Sequence, residues 1–219
     1  MATRPWSSIK RAQVGSPLVF LSRDREGAVV EDITMNEQER QSLLDEFAAS
    51  QARLLALVNG LTPEQWRFHP AEGRWSIGDC IEHVTAVEAR VLRAIGKHLE
   101  GPSEPEKRPL TEGKDILVRE NLPDRSKRIE APEPVRPTGK WEDPGQLLAN
   151  FLAAREHTVQ FASSTNSDLR NHFFPHIAMG EIDCYQWLVV LSLHGGRHAQ
   201  QIEEIKAHPA FPRSQSAVA

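Results

Sequence analysis

Four stretches of the chain repeat their apolar residues at intervals of three and four, and each is closed by its own start and stop signals. That period belongs to helices with one inward face, and no stretch alternates as a sheet strand would. The expected fold is therefore all-α, a four-helix bundle. The first stretch opens on Asn36, carries Leu43, Leu44, Phe47, Leu54, Leu55 and Val58, and stops at Asn59-Gly60. Thr62-Pro63-Glu64-Gln65 predicts one short helical turn, with a cap followed by proline at the first helical position. The second helix starts at Ser76, has Asp79 three residues on, and runs through Ile77, Cys80, Ile81, Val84, Val87, Val91 and Ile95 to about Gly101. Asp143-Pro144 starts a third helix bearing Leu147, Leu148, Phe151, Leu152 and Val159. The fourth follows Asp183 and continues to about Ala207-His208-Pro209.

Between the second and third helices, residues 101 to 142 hold Pro102, Pro105, Pro109, Pro123, Pro132, Pro134 and Pro137, so only a short helix around Asp115 to Glu120 fits. This is a long Pro-rich crossover inside one domain. Residues 1–34 have no apolar period and read as an N-terminal arm, with Met35 an alternative start. The bundle domain is expected over 35–209 and a tail over 210–219, with the arm and the crossover the segments most open to proteolysis.

Thirty acidic against 26 basic residues give a net charge of −4, without the basic stripe that a phosphate backbone requires. Nucleic acid is set aside as a partner. No apolar run reaches the roughly 20 residues of a membrane span, so no membrane partner is expected either. Two cysteines, Cys80 and Cys184, form no CxxC pair and no disulfide framework, which fits a cytoplasmic location.

The chemistry lies in the histidines. On the fourth helix the inward stripe runs Trp187, Val190, Leu191, His194, His198, Ile202 and Ile205, so two imidazoles one turn apart face the core. Such a pair can reach one ion at about 2.0–2.1 Å per nitrogen. His83, on or beside the inward stripe of the second helix, is the candidate third ligand, because bundle cores combine ligands from facing helices. Read alone, His83 is either a ligand or a hydrogen-bonded core residue. A second pair, His172 and His176, encloses Pro175 and is read as two loop histidines at a pocket mouth. Gly195-Gly196 lies inside the fourth helix, where each glycine costs about 1 kcal/mol relative to alanine. Either close packing or open space above a metal would account for it.

The run Trp75-Ser76-Ile77-Gly78-Asp79-Cys80-Ile81-Glu82-His83-Val84, followed about a hundred residues later by His194-Gly195-Gly196-Arg197-His198, resembles the DinB/YfiT-like family. The likeness covers about Glu37 to Ala207. It implies a bundle holding one divalent metal ion, zinc or nickel, on His83, His194 and His198. Among the activities it implies are thiol S-transfer with a low-molecular-weight thiol and metal-dependent hydrolysis.

Three neutral ligands leave an ion its full charge and an open position, the arrangement of catalytic zinc. A water there would have its pKa lowered toward about 7, and a thiol would be held as thiolate. No glutamate lies between the two histidines of the fourth helix, which favours thiol transfer over hydrolysis. A metal-binding stress protein without catalysis is the third reading. Gln51 and Arg155, polar residues on otherwise apolar stripes, are the candidate substrate contacts; the alternative is that they bond backbone or reach solvent. Cys80 is a soft extra ligand or a buried hydrophobe, and Asp79 orients an imidazole or caps its helix. The expected partners are a small-molecule substrate, with a thiol as the candidate, and a second copy of the chain in a homodimer.

Overall fold

The computed structural model describes residues 34–126 and 129–213. All but the last residue of the arm expected over 1–34 and most of the tail expected over 210–219 lie outside them. The long helices are α1 (Glu37–Val58), α3 (Ile77–Leu99), α5 (Pro144–Ser164) and α6 (Cys184–Lys206), with short helices α2 (Pro63–Arg67) and α4 (Lys114–Asn121) between them. Among the described residues no helix is long and apolar enough to cross a membrane.

The starts follow from local chemistry. Asn36, Thr62, Ser76 and Asp183 each accept the backbone N–H three residues on, and the side chain there accepts the cap's own N–H. Asp143 caps α5 through the N–H groups of Gly145 and Gln146, with Pro144 in the first turn, where it forfeits no bond. α1 stops where Asn59 turns extended and Gly60 takes φ +70°, a conformation that favours glycine.

α1 packs on α5 and α6, and α3 packs on the same two, so α1 and α3 face each other across the bundle diagonal. Gly78 on α3 lies so close beneath the Trp141 indole that an added Cβ would stand 1.9 Å from Trp141 Cζ2. The core has two apolar halves. One holds Leu43, Phe47, Val91, Ile95 and Leu191; the other holds Leu54, Ile81, Val84, Phe151 and Ile202. Between them each long helix contributes polar residues: Ser50 from α1, Glu88 from α3, Arg155 and Thr158 from α5, and His194 from α6, all buried.

One expectation is corrected. α5 and α6 are joined by an antiparallel hairpin, β1 (Phe173–His176) and β2 (Gly180–Asp183), so His176 ends a strand and does not lie in a loop. Four-residue strands are too short to show a period, and Pro175 is tolerated because β1 pairs with one neighbour only. Phe174, stacked between His98 and Trp187, fixes the hairpin to the bundle. In the described part of the crossover Val118, Leu122 and Val135 are buried, and Arg197 Nη1 donates to the carbonyls of Leu122 and Asp124. At the C-terminal end Phe211 meets Phe68 edge to face, and Gln65 Nε2 donates to Pro212 O.

Candidate metal centre

α3 and α6 run antiparallel, since His83 lies against His194 and His198 while His98, fifteen residues on, reaches Trp187 through Phe174. Each of the three histidines offers a nitrogen within 4.8 Å of the others, and the Nε2 atoms of His194 and His198 are 3.1 Å apart. Ligands of a tetrahedral zinc are about 3.4 Å apart, so small side-chain rotations bring the set onto one ion. Trp75 stacks on His198 and tilts against His83, closing one side of the cluster.

The outer bonds fix the proton positions. His83 Nδ1 is 2.7 Å from Val135 O, a group that only accepts, so Nδ1 carries the hydrogen and Nε2 keeps its lone pair. His198 Nδ1 meets Gln201 Oε1 at 3.0 Å. The same oxygen accepts from Arg125 Nη1, which can only donate, so it is the amide oxygen that faces His198 and the proton is again on Nδ1. Arg125 is itself held by Glu204 through Nε and Nη2. His194 Nδ1 is buried without a hydrogen-bond partner.

All three rings resist protonation. Burial lowers the pKa of His83, with the Val135 bond opposing, and holds His194 and His198 well below the ordinary value, their mutual repulsion adding to burial. Converging lone pairs that do not take up protons suit a divalent cation, so the residues fit the ion that the sequence pattern implies. A cavity of about 1150 Å³ opens onto the cluster, lined by α3, α6, the crossover and the hairpin.

The other expected residues lie elsewhere. Arg155 is buried across the bundle, paired with Glu88 and donating to Phe47 O and Ser50 Oγ, and it does not line the cavity. Gln51 is half-buried on α1 and does not line it either. Arg155 stands on an apolar stripe because its carboxylate partner is on α3, out of view of a local pattern. Cys80 is buried outside the ligand group, its thiol pushed up by burial. Asp79 caps α3 and lies 3.6 Å from His69; the acceptor for His83 is Val135 instead. Of the two readings of the glycines, close packing holds for Gly195, where a Cβ would lie 3.2 Å from Arg155 Nη2 and 3.3 Å from Ser50; one on Gly196 meets nothing within 4 Å, and neither glycine lines the cavity. His176 lines the cavity and His172 does not. Sequence reasoning missed Val135, for which no local signal exists, and Gln201, which the i, i+3 spacing from His198 could have revealed.

The uncharacterized protein YuaE of Bacillus subtilis (strain 168) is 22% identical over 151 residues, 68% of this chain and 88% of its own length. Among solved structures, YfiT from Bacillus subtilis, described as a probable metal-dependent hydrolase with an unusual four-helix bundle topology, aligns at TM-score 0.48 and 15% identity over 84% of this chain and 91% of its own. The sequence profile of the DinB superfamily matches residues 46–202, well over half of the chain, so the chain belongs to the DinB superfamily.

Proposed function

We propose that the protein holds one divalent ion, zinc or nickel, on His83, His194 and His198, and uses it to transfer a low-molecular-weight thiol to a small electrophile. The observation that carries this reading is the convergence of three buried imidazoles at the wall of a large cavity. When bound, the ion supplies Lewis acidity that favours the anionic form of a thiol or water brought to it. Val135 and Gln201 hold His83 and His198 in the tautomer whose Nε2 can ligate. Trp75 excludes water from one side of the cluster.

In the transfer itself the thiol loses its proton to solvent at the cavity mouth, a carbon–sulfur bond forms, and the leaving group departs with its bonding pair. Thiol transfer is favoured over hydrolysis because Glu204, at the triad end of the cavity, is held by Arg125, which keeps its carboxyl below the usual range, and Glu88 is held by Arg155. Neither serves as a general base for water.

The test is elemental analysis after dialysis in wild type and five single variants. His83→Ala, His194→Ala and His198→Ala should each lose most of the metal, while His172→Ala and His176→Ala keep a stoichiometry near one. A thiol panel with a generic alkylating electrophile follows. Equal metal in all five variants refutes the site. Metal-dependent ester hydrolysis without thiol transfer refutes the reaction and leaves the site standing.

A further inference from the structure

The cavity is larger than a small thiol needs. At about 1150 Å³ it exceeds the roughly 300–1,000 Å³ of ordinary ligand pockets, and it is two-ended. One end holds the triad with Gln201, Arg125 and Glu204. From there it runs along the α3–α6 seam, over Val87, Val91 and Ala94 of α3 and Val190 of α6. It ends at the parallel rings of Phe174 and Trp187, whose centroids are 4.6 Å apart. Arg90, His98 and His176 also line this half. His98 lies flat on Phe174, and His176 tilts against Trp187 with its Nδ1 accepting from Ala178 N–H. Burial alone lowers the His176 pKa to about 4, as a dry wall would. Two exposed isoleucines, Ile129 of the crossover and Ile177 of the hairpin turn, border the same space.

We propose that this apolar half is a substrate subsite: the molecule that reacts at the triad carries an extended alkyl or aryl arm, which lies over Val87, Val91, Ala94 and Val190 and ends against Trp187. The inference rests on the triad holding an ion, which places the reacting head, and adds to it the chemical class of the rest of the substrate. The arm has a definite length. His194 and Trp187 are seven residues apart, so the subsite is about 10 Å long, which accepts roughly eight methylenes at about 1.25 Å each. An arm shorter than this leaves apolar wall in contact with water, and a longer one has to bend out past Ile177.

Alkyl hydroxamates, a metal-chelating head on a chain of chosen length, test the proposal by calorimetry on zinc-loaded protein. Affinity should rise roughly three- to four-fold per methylene up to about eight carbons, then level off. Ala94→Trp, eleven residues along α3 from His83 and so at the Trp187 end of the subsite, should stop the rise short of eight carbons and leave acetohydroxamate binding unchanged. Trp187→Leu, which opens the far end, should move the plateau to longer chains. In His83→Ala the contribution of the head should disappear while the chain-length dependence remains. Acetohydroxamate binding with no gain from longer chains, or a gain that neither Ala94→Trp nor Trp187→Leu alters, overturns the subsite and leaves the triad intact. No hydroxamate binding at any chain length overturns both.

Discussion

The buried pair of Arg155 and Glu88 makes the sharpest test of how this bundle is held together. Both side chains are 1% exposed, and the guanidinium meets α3 through Glu88 and α1 through Phe47 O and Ser50 Oγ, close enough to α6 that a Cβ on Gly195 would stand 3.2 Å from Nη2. Replacing Arg155 by Met keeps most of the volume but leaves a carboxylate whose remaining partner is the Thr158 hydroxyl at 3.5 Å. Removing one partner of a buried ion pair costs about 3–5 kcal/mol. The sign of the pH dependence follows from Glu88. Burial already raises its pKa against the opposing charge of Arg155, so its share of stability is present below the unfolded carboxyl pKa and is lost as pH rises through the folded one. Without Arg155 the folded pKa rises further, and the deficit of Arg155→Met against wild type must widen from pH 5 to pH 8. Glu88→Gln strands a guanidinium that stays charged at every accessible pH, and it also removes the raised carboxyl of the wild type, so its deficit must narrow over the same range. Glu88→Leu combined with Arg155→Met removes both charges and should lie within about 2 kcal/mol of wild type. Urea unfolding followed by circular dichroism at both pH values measures all three. The reasoning fails if Arg155→Met costs less than about 1 kcal/mol at pH 8, or if the two single deficits move in the same direction with pH.

The adjacent glycines of α6 should respond oppositely to alanine. Gly196→Ala gains about 1 kcal/mol of helix propensity with nothing in its way, whereas Gly195→Ala forces Arg155 and Ser50 apart and should lose about 1–2 kcal/mol net; equal thermal midpoints would contradict this. Gln201→Leu removes the acceptor that fixes His198, and metal affinity by competition with a chelator should fall about 10–100-fold with the fold intact. Apo protein should lose stability as pH falls below about 6.5, because the unfolded chain then takes up protons that the buried triad and His176, with its pKa of about 4, refuse. Denaturation midpoints in chelator at pH 7.5, 6 and 5 check it, and His176→Asn should flatten the slope.

What the sequence determined by itself was whatever depends on neighbours along the chain. Helix ends are set by side chains three residues away, so Asn36, Ser76, Asp143 and Asp183 could be read directly as caps. The HxxxH pair needed only the helical repeat to place His194 and His198 on one face. Partners distant in the chain were another matter. Val135 reaches His83 across 52 residues from a proline-rich turn, and Glu88 neutralises Arg155 across 67, so a residue that looked like a substrate contact is an internal brace. The hairpin was hidden for a related reason: four-residue strands have too few positions to show a period, and theirs is stabilised by Phe174 lying between rings of α3 and α6. Local rules fix which residues form each helix and which face is apolar. Only the packing of those faces decides which polar groups meet inside, because burial penalises every one left unpaired and so selects the arrangement that pairs them.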